Sequence, residues 1–237
     1  MPKLQLIDDP SLAALADKTF AGLGCTEYGV AVLQGAESWG AHERGFLELP
    51  TKEGSLKVLI SYDEREAPYV VDKTGNECHD LLLSLTDEGD YIACAWARIA
   101  DGSPLLGVGI DLNATSHFLP RKSGKDYTHL LFTDREHELV AQLEPDDHMN
   151  AKAMLFAAKE AGFKATAHPL RVWYQDHDDE LLFEVRNFCM EEPGYERGTA
   201  RNAAAQTAMD RMGIARIVIH HEMLRDMAIV TAVALAE

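Results

Sequence analysis

The stretch Leu105–Phe118, LLGVGIDLNATSHF, decides how the rest of the chain is read. It is an apolar run with small residues, long enough for a strand buried on both faces. Into it a single aspartate, Asp111, is set where the pattern calls for burial. A carboxylate taken out of water resists ionising unless a cation or a donor faces it. Asp111 therefore implies a partner elsewhere in the chain.

The same stretch has a second copy. YGVAVLQGAESW, Tyr28–Trp39, aligns without a gap on LGVGIDLNATSH, Leu106–His117, with Val32 on Ile110 and Ala36 on Ala114. Leu33 stands in the first copy where Asp111 stands in the second. LLLSLTDEGDYIACAWA, from Leu81, similarly echoes ARIVIHHEMLRDMAIVTAVA, from Ala215, each a strand, a polar turn and an apolar strand. Two pairs in the same order indicate a duplicated half, one copy of which has kept a charged site. The strongest punctuation between the copies is DGSP, Asp101–Pro104, which divides the chain into an N-terminal half, residues 1–103, and a C-terminal half, residues 104–237.

Outward from that boundary the pattern predicts a helix over Ser11–Phe20 capped by Ser11, strands at YGVAVLQ and SLKVLISY, and a turn-like APYVVDKTGNE. A hairpin turning over Thr86–Asp90 follows. In the second half Thr133 and Glu136 have the spacing of a capping box, which starts a helix running to about Leu143. A further helix carries Met154, Leu155, Ala158 and Phe163 at helical spacings and stops near Pro169. LRVWYQ and ELLFEVRN read as strands around a DHDD turn, and a helix over Ala200–Met212 ends at Gly213 before the closing hairpin. The expected class is α+β: two similar halves forming a pseudodimer, each a small, mostly antiparallel sheet packed with helices.

Composition narrows the functions open to such a chain. Its 237 residues, 46% hydrophobic, suffice for a sizeable core. The longest apolar run, MAIVTAVALA, is too short for a membrane helix, and the acidic MPKLQLIDDP lacks the apolar core of a signal peptide, so a cytoplasmic protein is expected. Cys25, Cys78, Cys94 and Cys189 form no CxxC pair, which leaves reduced, mostly buried thiols as the reading. A net charge of −17 opposes nucleic-acid binding. One local basic cluster, RKSGK at Arg121–Lys125, suits either a loop that touches phosphate or a solvated surface loop. His220 and His221 are neighbours on a predicted strand and point to opposite faces, a poor arrangement for a shared metal.

The partner for Asp111 is found in FAAKEAGFK, Phe156–Lys164. Glu160 lies one turn after Phe156 and one turn before Lys164, on a stripe that an aromatic directs toward the core. A strand carboxylate and a helix carboxylate on inward faces repel unless a cation lies between them, and Mg²⁺, which takes oxygen ligands and keeps several waters, is the natural candidate. The same spacing also suits Glu160 pairing with Lys164 on a solvated face while Asp111 bonds its own turn. The pattern leaves both open.

GVGIDL followed by FAAKEAGFK resembles the paired signature of the 4′-phosphopantetheinyl transferase superfamily, G-[IV]-D-[ILV] and [FW]-x-x-K-E-[AS]-x-x-K. Two similar halves resemble its double-length, surfactin-synthetase-activating type, while FAAKEA is closer to holo-acyl-carrier-protein synthases. The resemblance implies transfer of the 4′-phosphopantetheine arm from coenzyme A to a serine of an acyl or peptidyl carrier protein in fatty-acid, polyketide or peptide synthesis. It implies Asp111 and Glu160 as Mg²⁺ ligands, and Glu160 with Lys164 as catalytic residues. Lys159, Lys164, Thr86, Arg121 and Lys122 are implied as contacts to coenzyme A. Coenzyme A and an apo carrier protein are the implied partners, with no nucleic acid and no membrane, for a monomer or a weak homo-oligomer. The family's Ser-His pair in the first half appears here as Thr86-Asp87, and the second acid expected two residues after Asp111 appears as Asn113. These departures suit the alternative, a non-catalytic member that binds carrier protein or coenzyme A.

Overall fold

The computed structural model describes residues 5–35, 45–51, 54–64, 66–119, 128–176, 188–190, 197–200 and 203–237. In chain order the first half carries β1 (Gln5–Leu6), α1 (Pro10–Phe20), β2 (Cys25–Gln34), β3 (Gly45–Thr51), β4 (Gly54–Tyr62), β5 (Pro68–Val71), β6 (Leu81–Glu88) and β7 (Tyr91–Ile99). The second half carries β8 (Leu105–Ala114), α2 (Thr128–Leu131), α3 (Asp134–Ala141), α4 (His148–Ala165), α5 (Ala167–Asp176), β9 (Phe188–Met190), β10 (Arg197–Ala200), α6 (Ala203–Arg211), β11 (Arg216–Leu224) and β12 (Met227–Leu235). The class is α+β, with small antiparallel sheets and helices packed on them.

The two similar stretches of the sequence lie on β2 and β8, in different sheets. One sheet has the order β1-β2-β7-β6 and another β8-β12-β11-β10-β9, so in each the first strand pairs with the last strand of a hairpin. Leu33 pairs with Ile92 in the first sheet, and Asp111 pairs with Val230 in the second. A third sheet, β3-β4-β5, covers the outer face of the first through Leu47, Leu49, Val58, Ile60 and the buried Trp96. Trp96 sits opposite Gly29 and fills the space a side chain there would need.

Alternation along β8 sorts its side chains. Val108, Ile110 and Leu112 join Leu12, Leu15 and Phe20 of α1 and Val30 of β2 in a core shared by both halves. Gly107, Gly109 and Asp111 face the other way, toward α4. The helix lies so close there that a Cβ on Gly109 would stand 1.8 Å from the Ala161 carbonyl oxygen, and one on Gly107 would stand 2.0 Å from that of Ala165. The small residues of the opening stretch thus bring a helix backbone onto the strand beside Asp111. Behind α4, Leu155, Ala158 and Ala161 pack with Met209 of α6 and with Ile217 and Ile219 of β11.

Several local expectations change. The cap of α1 is Asp9, whose side chain accepts from Ser11 N–H at 2.9 Å, in place of Ser11 itself. Part of APYVVDKTGNE is strand β5, and the turn begins only at Asp72, whose carboxylate gathers Thr74 and Asn76. LRVWYQ is helical within α5, not a strand, because Pro169 occupies the first turn of that helix, where no N–H is needed. The capping box of Thr133 and Glu136 forms as predicted, and the helix over Ala203–Arg211 is followed by Gly213 at φ 72°. The DHDD segment beyond Asp176, all of ELLFEVRN and all of Arg121–Lys125 fall outside the described residues.

Candidate active site

The sheets meet where β6 and β8 run side by side, and Ser84 Oγ on β6 accepts from Ile110 N–H on β8 at 3.1 Å. One residue further along β8, Asp111 is 5% exposed. Its Oδ1 accepts from Thr86 Oγ1 at 2.9 Å and from Lys164 Nζ at 2.7 Å, and Lys164 also donates to Thr86 Oγ1 at 3.0 Å. Strand β6 supplies the hydroxyl, β8 the carboxylate and α4 the ammonium. Burial nevertheless pushes the Asp111 carboxyl above its ordinary value, outweighing the pull of Lys164 and the hydrogen bond from Thr86. Glu160 is pushed up as well, first by burial and then by repulsion from Asp111, with Lys164 opposing.

A cavity of about 340 Å³ opens beside this group. Its helix wall is a continuous stripe of Glu160, Phe163, Lys164, Ala167, His168 and Arg171, and its strand wall runs along β6 from Leu81 to Asp87. Four of the residues that the sequence singles out, Asp111, Glu160, Lys164 and Thr86, are thereby brought to one end of one groove.

Lys159 is not brought there. It is completely buried and donates to both carboxylate oxygens of Glu136, at 3.1 and 3.0 Å, tying the start of α3 to the middle of α4. The reading of Lys159 as a coenzyme contact gives way to this placement, since a side chain closed off from solvent and spent on a buried carboxylate has no ligand to meet. Arg121 and Lys122 lie outside the described residues.

The groove also holds residues that sequence reasoning passes over. At its far end Arg171 Nη2 donates to Glu77 Oε1 at 2.6 Å and to His168 Nδ1 at 3.1 Å, and its guanidinium lies over the Tyr69 ring at 4.7 Å. Burial, reinforced by Arg171, drives His168 down to about 4. The available signal is the spacing Glu160, Lys164, His168, Arg171, which continues one helical face; ending the helix at Pro169 hides it. Asn113, next after Asp111 on the same face of β8, has a buried Oδ1 with no hydrogen-bond partner. Among the described residues no group of three or more His, Cys, Asp or Glu side chains could hold a metal ion, and no helix is long and apolar enough to cross a membrane.

Comparison with known proteins shows similarity over part of the chain. No curated protein matches the chain. Among solved structures, holo-[acyl-carrier-protein] synthase from Neisseria meningitidis is similar at 21% identity and a TM-score of 0.42, over 55% of this chain and 98% of that one. Holo-ACP-synthase from Plasmodium yoelii is similar at 14% identity and a TM-score of 0.38, over 56% and 96%. The family model described as 4′-phosphopantetheinyl transferase superfamily matches residues 107–206, a span that begins at Gly107 of the opening stretch and contains Asp111, Glu160, Lys164, His168 and Arg171. Over this segment, less than half of its length, the chain is similar to the 4′-phosphopantetheinyl transferase superfamily.

Proposed function

We propose that the protein transfers 4′-phosphopantetheine from coenzyme A to a serine of an acyl or peptidyl carrier protein, as a holo-acyl-carrier-protein synthase does. The observation that carries this reading is the convergence of Asp111, Glu160, Lys164 and Thr86 at one end of the groove. In the reaction the serine Oγ attacks the pantetheine-side phosphorus of the diphosphate. The bond from that phosphorus to the bridging oxygen breaks, and adenosine 3′,5′-bisphosphate leaves. Glu160, whose carboxylate is raised toward a basic working range, takes the serine proton directly or through a water. Lys164 offers its ammonium to the leaving diphosphate oxygen, and Thr86 orients Lys164 and Asp111.

Mg²⁺ fits this donor set. Asp111 and Glu160 are two carboxylates, each raised above its ordinary value, and the orphaned Asn113 Oδ1 is an oxygen in search of a partner on the same strand face. Asp111 and Glu160 would hold the ion, which when bound would neutralise the diphosphate charge. On this reading residues 1–103 and 104–237 act as the halves of a pseudodimer in the cytoplasm. The matching strand orders β2-β7-β6 and β8-β12-β11 support the pairing of halves.

Asp87 favours a second reading, a member that binds without turnover, because a carboxylate lines the groove where coenzyme A phosphates would pass. Intact-mass measurement separates the two after incubation with coenzyme A, Mg²⁺ and apo carrier proteins. A phosphopantetheine adduct on a carrier is expected, and it should vanish in Asp111→Ala and Glu160→Ala with the fold kept. Coenzyme A binding without an adduct would establish the second reading. Neither binding nor adduct would overturn both.

A further inference from the structure

The far end of the groove has a chemistry of its own. Arg171 of α5 reaches across to Glu77, on the segment between β5 and β6, at 2.6 Å, and its guanidinium is backed by the Tyr69 ring of β5. A guanidinium has only N–H groups to offer, so in its 3.1 Å contact with His168 the imidazole Nδ1 must be the acceptor. The ring proton is then on Nε2. His168 lines the groove with a side chain one-fifth exposed, and Glu77 Oε1 lies on the Nδ1 side at 3.9 Å. Arg171 Nε is buried with no partner, so this end holds N–H donors in excess of acceptors.

The charge here is nearly cancelled, since Glu77 faces the guanidinium. The other carboxylates that line the groove, Glu66, Asp87 and Glu160, further disfavour a dianion. A neutral acceptor suits such a site better: a ring nitrogen or a carbonyl oxygen, delivered along a wall made apolar by Leu81, Leu83 and Phe163.

We propose that His168, fixed in its Nε2–H tautomer by Arg171, donates a hydrogen bond to a neutral acceptor on the part of the ligand remote from the reacting diphosphate, with Arg171 as the positioning residue. The inference rests on coenzyme A being the ligand. Coenzyme A carries such acceptors at two places, the purine ring and the pantetheine amides. The shared chemistry is a neutral acceptor, and the fragments tell the sources apart.

Titration calorimetry with coenzyme A, adenosine 3′,5′-bisphosphate and 4′-phosphopantetheine, on wild type, His168→Leu and His168→Gln, tests the contact. His168→Leu should weaken coenzyme A and one fragment by about tenfold and leave the other fragment within twofold. His168→Gln, which keeps a donor near the Nε2 position, should recover most of the loss. Equal binding by wild type and His168→Leu would overturn the inference while leaving the transferase reading intact; absence of coenzyme A binding in wild type would overturn both. Nitrogen-15 shifts of His168 supply a readout that packing alone would not move. The wild type should show protonated Nε2 and bare Nδ1, and Arg171→Met should mix the two tautomers. A protonated Nδ1 in the wild type would overturn the positioning role of Arg171.

Discussion

Glu160 and His168 sit on one helical face in the same groove, and burial moves their titrations in opposite directions. For Glu160 the folded carboxyl holds its proton more tightly than the unfolded chain does. The unfolded state therefore binds fewer protons between the ordinary value of 4.5 and the raised one, and stability falls as pH rises through that window. Glu160→Gln removes this cost. It should raise the Tm at pH 7 by roughly 2–4 °C in the absence of divalent cations while abolishing transfer. A Tm unchanged or lowered by Glu160→Gln would mean that the carboxylate is already compensated in the fold. For His168 the folded value of about 4 lies below the ordinary 6.5, so the unfolded state binds more protons between the two. The stability this contributes is present above about 6.5 and is lost as pH falls toward 4, a change of ~3 kcal/mol at most. Melting curves over that range should be flatter for His168→Gln than for the wild type, and identical slopes would contradict the buried, neutral imidazole.

The opening stretch works as an element because of what it lacks. Gly107 and Gly109 admit the backbone of α4 to within contact of β8, and that closeness sets Lys164 at 2.7 Å from Asp111. Gly109→Ala should therefore be costly well beyond a strand-propensity effect, because the obstacle is a carbonyl oxygen 1.8 Å away and not the tip of a flexible side chain. A loss of several kcal/mol in chemical denaturation, or failure to fold, is expected; a loss under 1 kcal/mol would show that the helix can withdraw. The strands β2, β4 and β8, both hairpins and the capping box of α3 are legible in the sequence because each depends on local pattern, whereas β3 and β5 are not. α5 is not, because Pro169 reads as a stop although a first-turn position tolerates it. Lys159 escapes sequence reading for a related reason: the motif gives its spacing, but only the fold reveals Glu136 waiting in the core.

At the scale of the whole molecule the likeness of two stretches can be read from residues, and Leu33 and Asp111 fall on strands that each pair with the last strand of a following hairpin. What cannot be read is where the sheets join. The chain gives no hint that Ser84 bonds the backbone of Ile110, or that β6 lends Thr86 to Asp111, because both contacts are made by side chains whose partners lie in the other half.

The seam between β6 and β8 has a further consequence. One wall of the groove belongs to the first copy and the other to the second, and Arg171 crosses from one to the other to reach Glu77. A substitution on either wall therefore meets a partner contributed by the other half. Leu33 stands on β2 where Asp111 stands on β8, so of these two positions only the one in the second half carries a carboxylate. The two halves are mechanically coupled: displacing the Glu77 segment pulls on Arg171 and hence on α5.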